Sequence, residues 1–408
     1  MDNYLNQLSR EQRALLQLMR CSLWGEKTQL SGELDWKALA AMAWDQGVTS
    51  FAYDGARQSG AQIPEPLLKK WNEKMLQGVL NNARLMKAQD ELLGWLDRVQ
   101  IPAAVLKGSS NSRNYPQPDL RVLGDIDILV NRESLEQVQA ILEEQGYQLH
   151  EVDPGYHISF QKGRICVEVH YDVTEFPNSP GGRLMAEYAA GFLEDRKTGV
   201  VGEHSFPMLS ESNQALTLLL HMIRHMFGSC IGLRQLYDWA MFIANADRKE
   251  WETATMPILE KCGILRYAQV ATRTCVCYLG LSPEGLEWCS DTGEELCLAF
   301  IRDVFRGGSL GEADKDGMGS LFTNSVEMGT AQAPWKALVD RLNQAAYRHV
   351  PCARQCKILL PALWVYVPVR YLTLAALGRR PQKSVRKVVA SAKQRRELYD
   401  MLKLYEIE

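Results

Sequence analysis

The sequence predicts an α/β (α+β) protein: a small mixed β-sheet flanked by helical N- and C-terminal regions. Three observations carry that prediction. Residues 101–106 and 126–130 are continuous apolar runs of strand length. Residues 156–161 and 165–171 alternate in polarity around a Lys162-Gly163-Arg164 turn, the pattern of paired strands. On both sides of this block the apolar residues recur at helical spacing instead.

Taken in order, residues 8–100 read as helices. Leu15, Leu16, Leu18 and Met19 make one apolar stripe, and Trp36, Leu39, Ala40 and Met42 make another. Gln46-Gly47-Val48 breaks the second helix, and Ile63-Pro64-Glu65-Pro66 marks the next boundary. A long helix over about residues 67–98 follows, with Leu80, Leu85, Leu92, Leu93 and Leu96 as its apolar contacts. After the second strand, Asn131–Ser134 form a cap for a helix over 135–145, which Gly146 ends. From Ser212 the helical period returns, with Leu216, Leu219, Leu220, Ile223 and Phe227 on one stripe. Residues 307–333 are rich in Gly, Asp and Ser and read as a flexible linker. Asp314-Lys315-Asp316-Gly317 opens like a calcium loop but lacks the third acid and the closing glutamate. The chain therefore divides into helical residues 1–100, a core at 101–205, helical residues 206–306, the linker at 307–333, and a helical region with a basic tail at 334–408.

A chain of 408 residues with 46% hydrophobic and 23% charged residues can bury a substantial core. Its net charge of −3 gives no reason to expect a sequence-specific nucleic-acid partner. Ten cysteines are scattered without zinc-site spacing, and the N-terminus is polar, so free thiols in a reducing cytoplasm are expected. The apolar run 358–369 is only a dozen residues and holds two prolines, too short to span a bilayer. Residues 379–396 carry eight basic residues and no acid. The preceding helix, with Trp364, Tyr366 and Tyr371, either packs into the core beside a solvated tail, the plainer reading, or rests weakly on an anionic membrane surface.

The chemistry concentrates at 101–130. Asp125 and Asp127 are two residues apart on a strand, so they share a face, and like charges held that close call for a cation. Mg²⁺ suits carboxylates and substrate phosphates together. Lys107, Gly108 and Ser109 follow the first strand, where free backbone N–H groups can hold a phosphate. On the later strand, Cys166, Glu168 and His170 share the face opposite Ile165, Val167 and Val169, so Glu168 is expected in the same cleft as the aspartates.

The Gly-Ser pair, a spacer and Asp-x-Asp on a strand resemble the signature of the polymerase-β-type nucleotidyltransferase superfamily. Leu106-Lys107-Gly108, Tyr115-Pro116 and the Arg121–Val130 stretch RVLGDIDILV resemble, more narrowly, a bacterial group of largely uncharacterised nucleotidyltransferases. The resemblance implies Asp125, Asp127 and Glu168 as catalytic metal ligands for Mg²⁺, two ions, with Mn²⁺ as substitute. It implies that Gly108 and Ser109 hold the phosphates of an NTP, and that Lys107 or Arg121 neutralises pyrophosphate; Lys107 alternatively caps its strand. His170 is either an acceptor-side base or a hydrogen-bond partner. His221 and His225, then Arg234 and Asp238, also match the narrower group and either line the cleft or form a buried polar network. Met222 stands where a metalloprotease needs glutamate, and no third ligand has zinc spacing. The implied reaction moves a nucleoside monophosphate to a sugar, an aminoglycoside-like metabolite or a protein. The rivals are an antitoxin-like module that nucleotidylates a partner protein and a non-catalytic nucleotide-binding scaffold in surface-polysaccharide assembly. The intact carboxylates argue against the scaffold.

Overall fold

Caps and helix breakers in the sequence set the N-terminal helices. A computed structural model describes residues 2–307 except 31, 154, 229 and 230, then 339, 343, 346, 350, 357–376 and 397–407. Helix α1 (Arg10–Trp24) opens with a capping box, in which Ser9 and Gln12 satisfy each other's backbone N–H groups. It ends at Gly25 in the left-handed region. Leu15, Leu16, Leu18 and Met19 are fully buried, as their spacing predicts. Asp35 caps α2 (Trp36–Asp45). Helix α3 (Thr49–Gln58) crosses α1 so closely that a Cβ on Gly55 would sit 1.9 Å from the Leu18 carbonyl oxygen. Pro66 falls in the first turn of α4 (Glu65–Arg98), where its missing N–H costs nothing.

The seven strands are β1 (Ala103–Val105), β2 (Ile126–Val130), β3 (Gln148–Asp153), β4 (His157–Lys162), β5 (Ile165–His170), β6 (Arg196–Val201) and β7 (His204–Leu209). They form one mixed sheet in the order β3-β4-β5-β2-β1-β7-β6. β1 runs antiparallel to β2 and parallel to β7, while β2 runs parallel to β5. Between β1 and β2 the chain makes the one-turn helix α5 (Ser109–Ser112), and α6 (Leu135–Glu144) follows β2. Ile126, Ile128 and Val130 of β2 pack on Leu85, Leu92 and Leu96 of α4 and on Val138 and Leu142 of α6. Strand alternation therefore turns Asp127 and Leu129 to the opposite face, where the C-terminal helices close over the sheet. Those helices are α7 (Pro180–Ala189), α8 (Glu211–Gly228), α9 (Leu233–Asn245), α10 (Leu265–Thr274) and α11 (Glu294–Gly307). Leu216, Leu219, Leu220, Leu233 and Trp239 join α1 and α3 in the larger core.

Two expectations need correction. Leu80 on α4 is 67% exposed and makes no core contact, because its face of that long helix points away from both cores. The helix expected to carry Trp364, Tyr366 and Tyr371 forms as α12 (Leu360–Ala376), but none of its described side chains belongs to the main core. Leu360 is buried with Ala346, Trp364 donates to the Asn343 side chain at 2.9 Å, and Val365, Tyr366 and Val369 remain exposed. Among the described residues no helix is long and apolar enough to cross a membrane. Residues 308–333, with the 314–317 segment, most of 334–350 and the basic run 379–396 lie outside the described residues.

Candidate active site

Register brings the acids together. β2 and β5 pair in parallel with Asp127 opposite Glu168 and Leu129 opposite His170, so Asp127, Glu168 and His170 rise from one face of two adjacent strands. The ligand atoms of all three lie within 4.8 Å of one another. His170 Nε2 stands 3.1 Å from Asp127 Oδ1 and 3.3 Å from Glu168 Oε2. The Lys107 ammonium, arriving from the end of β1, lies 2.7 Å from Asp127 and 3.8 Å from Glu168. Asp125, just before β2, faces the same cavity outside this three-residue group.

The electrostatics follow from this crowding. The Asp127 charge, then burial, pushes the Asp125 carboxyl up. Burial would raise Glu168 too, but the His170 hydrogen bond and the Lys107 charge outweigh it and hold that carboxyl at about 2. Burial would lower His170, yet its bonds to Asp127 and Glu168 raise it. Lys107 likewise goes up, because the three acids overcome its desolvation. The cluster is charge-paired within itself, and two carboxylates plus an imidazole nitrogen form a donor set that can hold a metal ion.

Above the sheet lies a cavity of about 260 Å³. Its floor is Lys107, Gly108, Asp125, Asp127 and Glu168; its wall is His221, Arg224 and His225 of α8 with Arg234, Gln235 and Asp238 of α9. The two histidine rings meet edge to face at 4.3 Å. Burial, reinforced by Lys107, lowers both and takes His225 to about 3, so they stand neutral. No described third ligand joins them in a metal group.

Arg121 also lines the cavity, but its guanidinium is committed. Nε and Nη2 donate to the Asp238 carboxylate at 3.1 and 2.6 Å. Tyr115 donates to the same carboxylate at 2.8 Å, and Asn111 at 3.4 Å. Gly108 turns the chain out of β1 at φ 69, ψ −105, a conformation that favours glycine. Ser109 is placed otherwise than expected: it does not line the cavity, and its hydroxyl donates to Gln89 of α4 at 2.6 Å. The one-turn helix after Gly108 rotates Ser109 toward α4 and brings Asn111 to the cavity instead.

The sequence reading missed several residues that hold this arrangement. Asn82 of α4 donates to the Asp119 and Arg121 carbonyls and accepts from the Leu123 N–H, fixing the loop into β2. Gln214 of α8 donates to Leu106 O, Ser110 Oγ and Asn111 Oδ1, tying the helical wall to the end of β1. Arg224 lies over the Tyr156 ring at 3.8 Å. Its one-turn spacing from His221 was the available signal; Asn82 and Gln214 gave none, since their partners are distant in sequence.

Fold and site together define an α/β protein with a carboxylate–histidine candidate metal centre beneath a cationic helical wall. Residues 32–280, more than half of the chain, match the model of a family described as uncharacterised nucleotidyltransferase, and the chain belongs to that family. No curated protein matches it. Membership supports nucleotidyl transfer in general and implies an NTP as substrate.

Proposed function

We propose that this protein is a metal-dependent nucleotidyltransferase that moves a nucleoside monophosphate from an NTP to an acceptor hydroxyl or similar nucleophile, on a small molecule or a protein. The observation that supports it most is the in-register pair of Asp127 and Glu168 on adjacent parallel strands, with His170 beside them and a cation-lined cavity above. Asp127, Glu168 and His170 would hold the ion, and Asp125 is the acid available to a second one. Mg²⁺ suits the carboxylates, and the imidazole makes Mn²⁺ equally apt. Bound there, the ion would supply charge neutralisation at the phosphate and lower the pKa of an acceptor hydroxyl.

The protein's own groups do the rest. Lys107 pairs with Asp127 and Glu168, the carboxylates that would hold the ion, and its ammonium would be available to a phosphate oxygen were an ion to neutralise them. Gly108 lets backbone approach that phosphate without a Cβ in the way. Asp238 holds Arg121 in place at the cavity and keeps it charged, while Arg121 Nη1 donates to the Val122 carbonyl. The neutral histidines leave the wall polar without adding charge near the acceptor. Seven free cysteines among the described residues suit a reducing cytoplasm.

The test is calorimetric titration of each Mn²⁺–NTP pair into wild type, Asp127→Asn and Glu168→Gln. Binding of at least one pair that weakens about tenfold or more in both variants supports the proposal, since each loses a charged ligand. Metal-independent binding, equal in all three proteins, would remove it.

A further inference from the structure

Four permanently cationic side chains line the cavity: Lys107, Arg121, Arg224 and Arg234. Lys107 is paired with Asp127, Arg121 with Asp238, and Arg224 lies on the Tyr156 ring. Arg234 differs. Its side chain makes no hydrogen bond or ion pair with a described residue, and its Nε is sealed from solvent without a partner. A guanidinium carries five N–H donors in a fixed fork, and leaving them unused in a buried place is unfavourable.

The position of Arg234 is built into the fold. Gln46 of the N-terminal region pins the first turn of α9, accepting from Leu233 N at 2.8 Å on its side chain and from Arg234 N at 3.3 Å on its carbonyl. Gln46 is itself anchored, donating to the Val304 carbonyl at 3.2 Å. Arg234 is thus held at the cavity edge beside a second guanidinium, Arg121. Asp238, one turn further along α9, already accepts two bonds from Arg121 and one from Tyr115. Asp125 is the other acid whose charge reaches Arg234, but it makes no ion pair with it, so the guanidinium fork is left without a committed partner at the cavity. A phosphate with two free oxygens fits such a fork, which binds bidentately.

We propose that Arg234 is the polyphosphate-binding residue of the cavity wall, its free guanidinium taking the diphosphate end of a nucleoside triphosphate across from Asp127 and Glu168. This deepens the proposed function and rests on it. The residue is costly to the empty protein, since burial and Arg121 both disfavour its charge. Its removal should therefore weaken ligand binding while leaving the fold intact or slightly more stable, a combination that a structural arginine would not give.

The test uses the full chain with Arg234→Gln and Arg234→Lys, the probes being Mn²⁺ with the NTP that wild type binds most tightly, the corresponding monophosphate, and inorganic pyrophosphate. Arg234→Gln should lose about tenfold to a hundredfold in affinity for triphosphate and pyrophosphate and less than about twofold for the monophosphate, with an unchanged or higher melting temperature. Arg234→Lys should recover part of the loss, since charge returns without the fork. If Arg234→Gln bound triphosphate like wild type, lost mono- and triphosphate equally, or melted well below wild type, the assignment would be wrong while the nucleotidyltransferase reading stood. If wild type itself bound no triphosphate, that reading would fall and this assignment with it.

Discussion

Asp238→Asn should destabilise the protein far more than its isosteric shape suggests. The Asp238 and Arg121 side chains are 5% and 7% exposed, and the carboxylate takes two guanidinium bonds, a tyrosine hydroxyl and an asparagine amide. Asparagine keeps one acceptor oxygen but turns an NH₂ toward groups that also donate, and it leaves Arg121 buried without its paired carboxylate. Removing one partner of a buried pair costs about 3–5 kcal/mol, a large share of the roughly 5–15 kcal/mol that holds a typical protein folded. Urea denaturation of wild type and variant reads the change in midpoint at constant slope. The double variant Arg121→Met/Asp238→Leu decides the cause, because replacing both charges by apolar groups removes the stranded cation. It should be more stable than Asp238→Asn alone, with a coupling of about 1 kcal/mol or more. A loss under about 1 kcal/mol for Asp238→Asn, or a double variant that equals the sum of its singles, would refute the buried-pair argument.

Gly55→Ala should prevent α3 from seating on α1, since its Cβ would meet the Leu18 carbonyl oxygen at 1.9 Å; a backbone shift costing several kcal/mol is expected, and an unchanged melting curve would contradict the close crossing. Acid should destabilise the protein in two stages. The unfolded chain protonates His225 near pH 6.5 while the fold resists until about 3, so stability falls as pH drops below 6.5. Glu168, held at about 2 against an ordinary 4.5, contributes stability above 4.5 that is lost only as pH falls toward 2. Hence His225→Asn should flatten the urea midpoint between pH 7 and 5 by about one proton's worth of slope, and an unaltered profile would show that His225 is not held neutral.

How much of this was legible depended on whether a signal was local. The strand over residues 126–130 is buried on both faces and reads as a continuous apolar run, and the 165–171 alternation places Glu168 and His170 on one side; both survive in the structure. β6 escaped notice because it is an edge strand with Arg196, Lys197 and Thr198 exposed, so one buried face never shows as alternation. His170 as a partner of Asp127 needed the parallel register of β2 on β5, which no sequence spacing encodes. The Ser109 misplacement has the same root: a glycine followed by a single helical turn sends the next side chain to α4, and only Gln89, 20 residues earlier, reveals where it points. Apolar content alone misplaced the described side chains of α12, among them Val365, Tyr366 and Val369, since the sequence does not say whether a partner surface exists.

Transfer of label from an α-labelled NTP tests the central claim most directly. Wild type, Asp127→Asn and Glu168→Gln would each be incubated with Mg²⁺ or Mn²⁺, the four NTPs, and cell extract fractionated into metabolites and proteins. The account predicts metal-dependent label on an acceptor with wild type, and a loss of about a hundredfold or more in both variants at unchanged fold, because the charge that holds the ion against the phosphate is gone. Label confined to one protein would make the acceptor a polypeptide rather than a metabolite. Label at the wild-type rate from Asp127→Asn, or tight Mn²⁺–NTP binding by wild type with no label on any fraction, would contradict it.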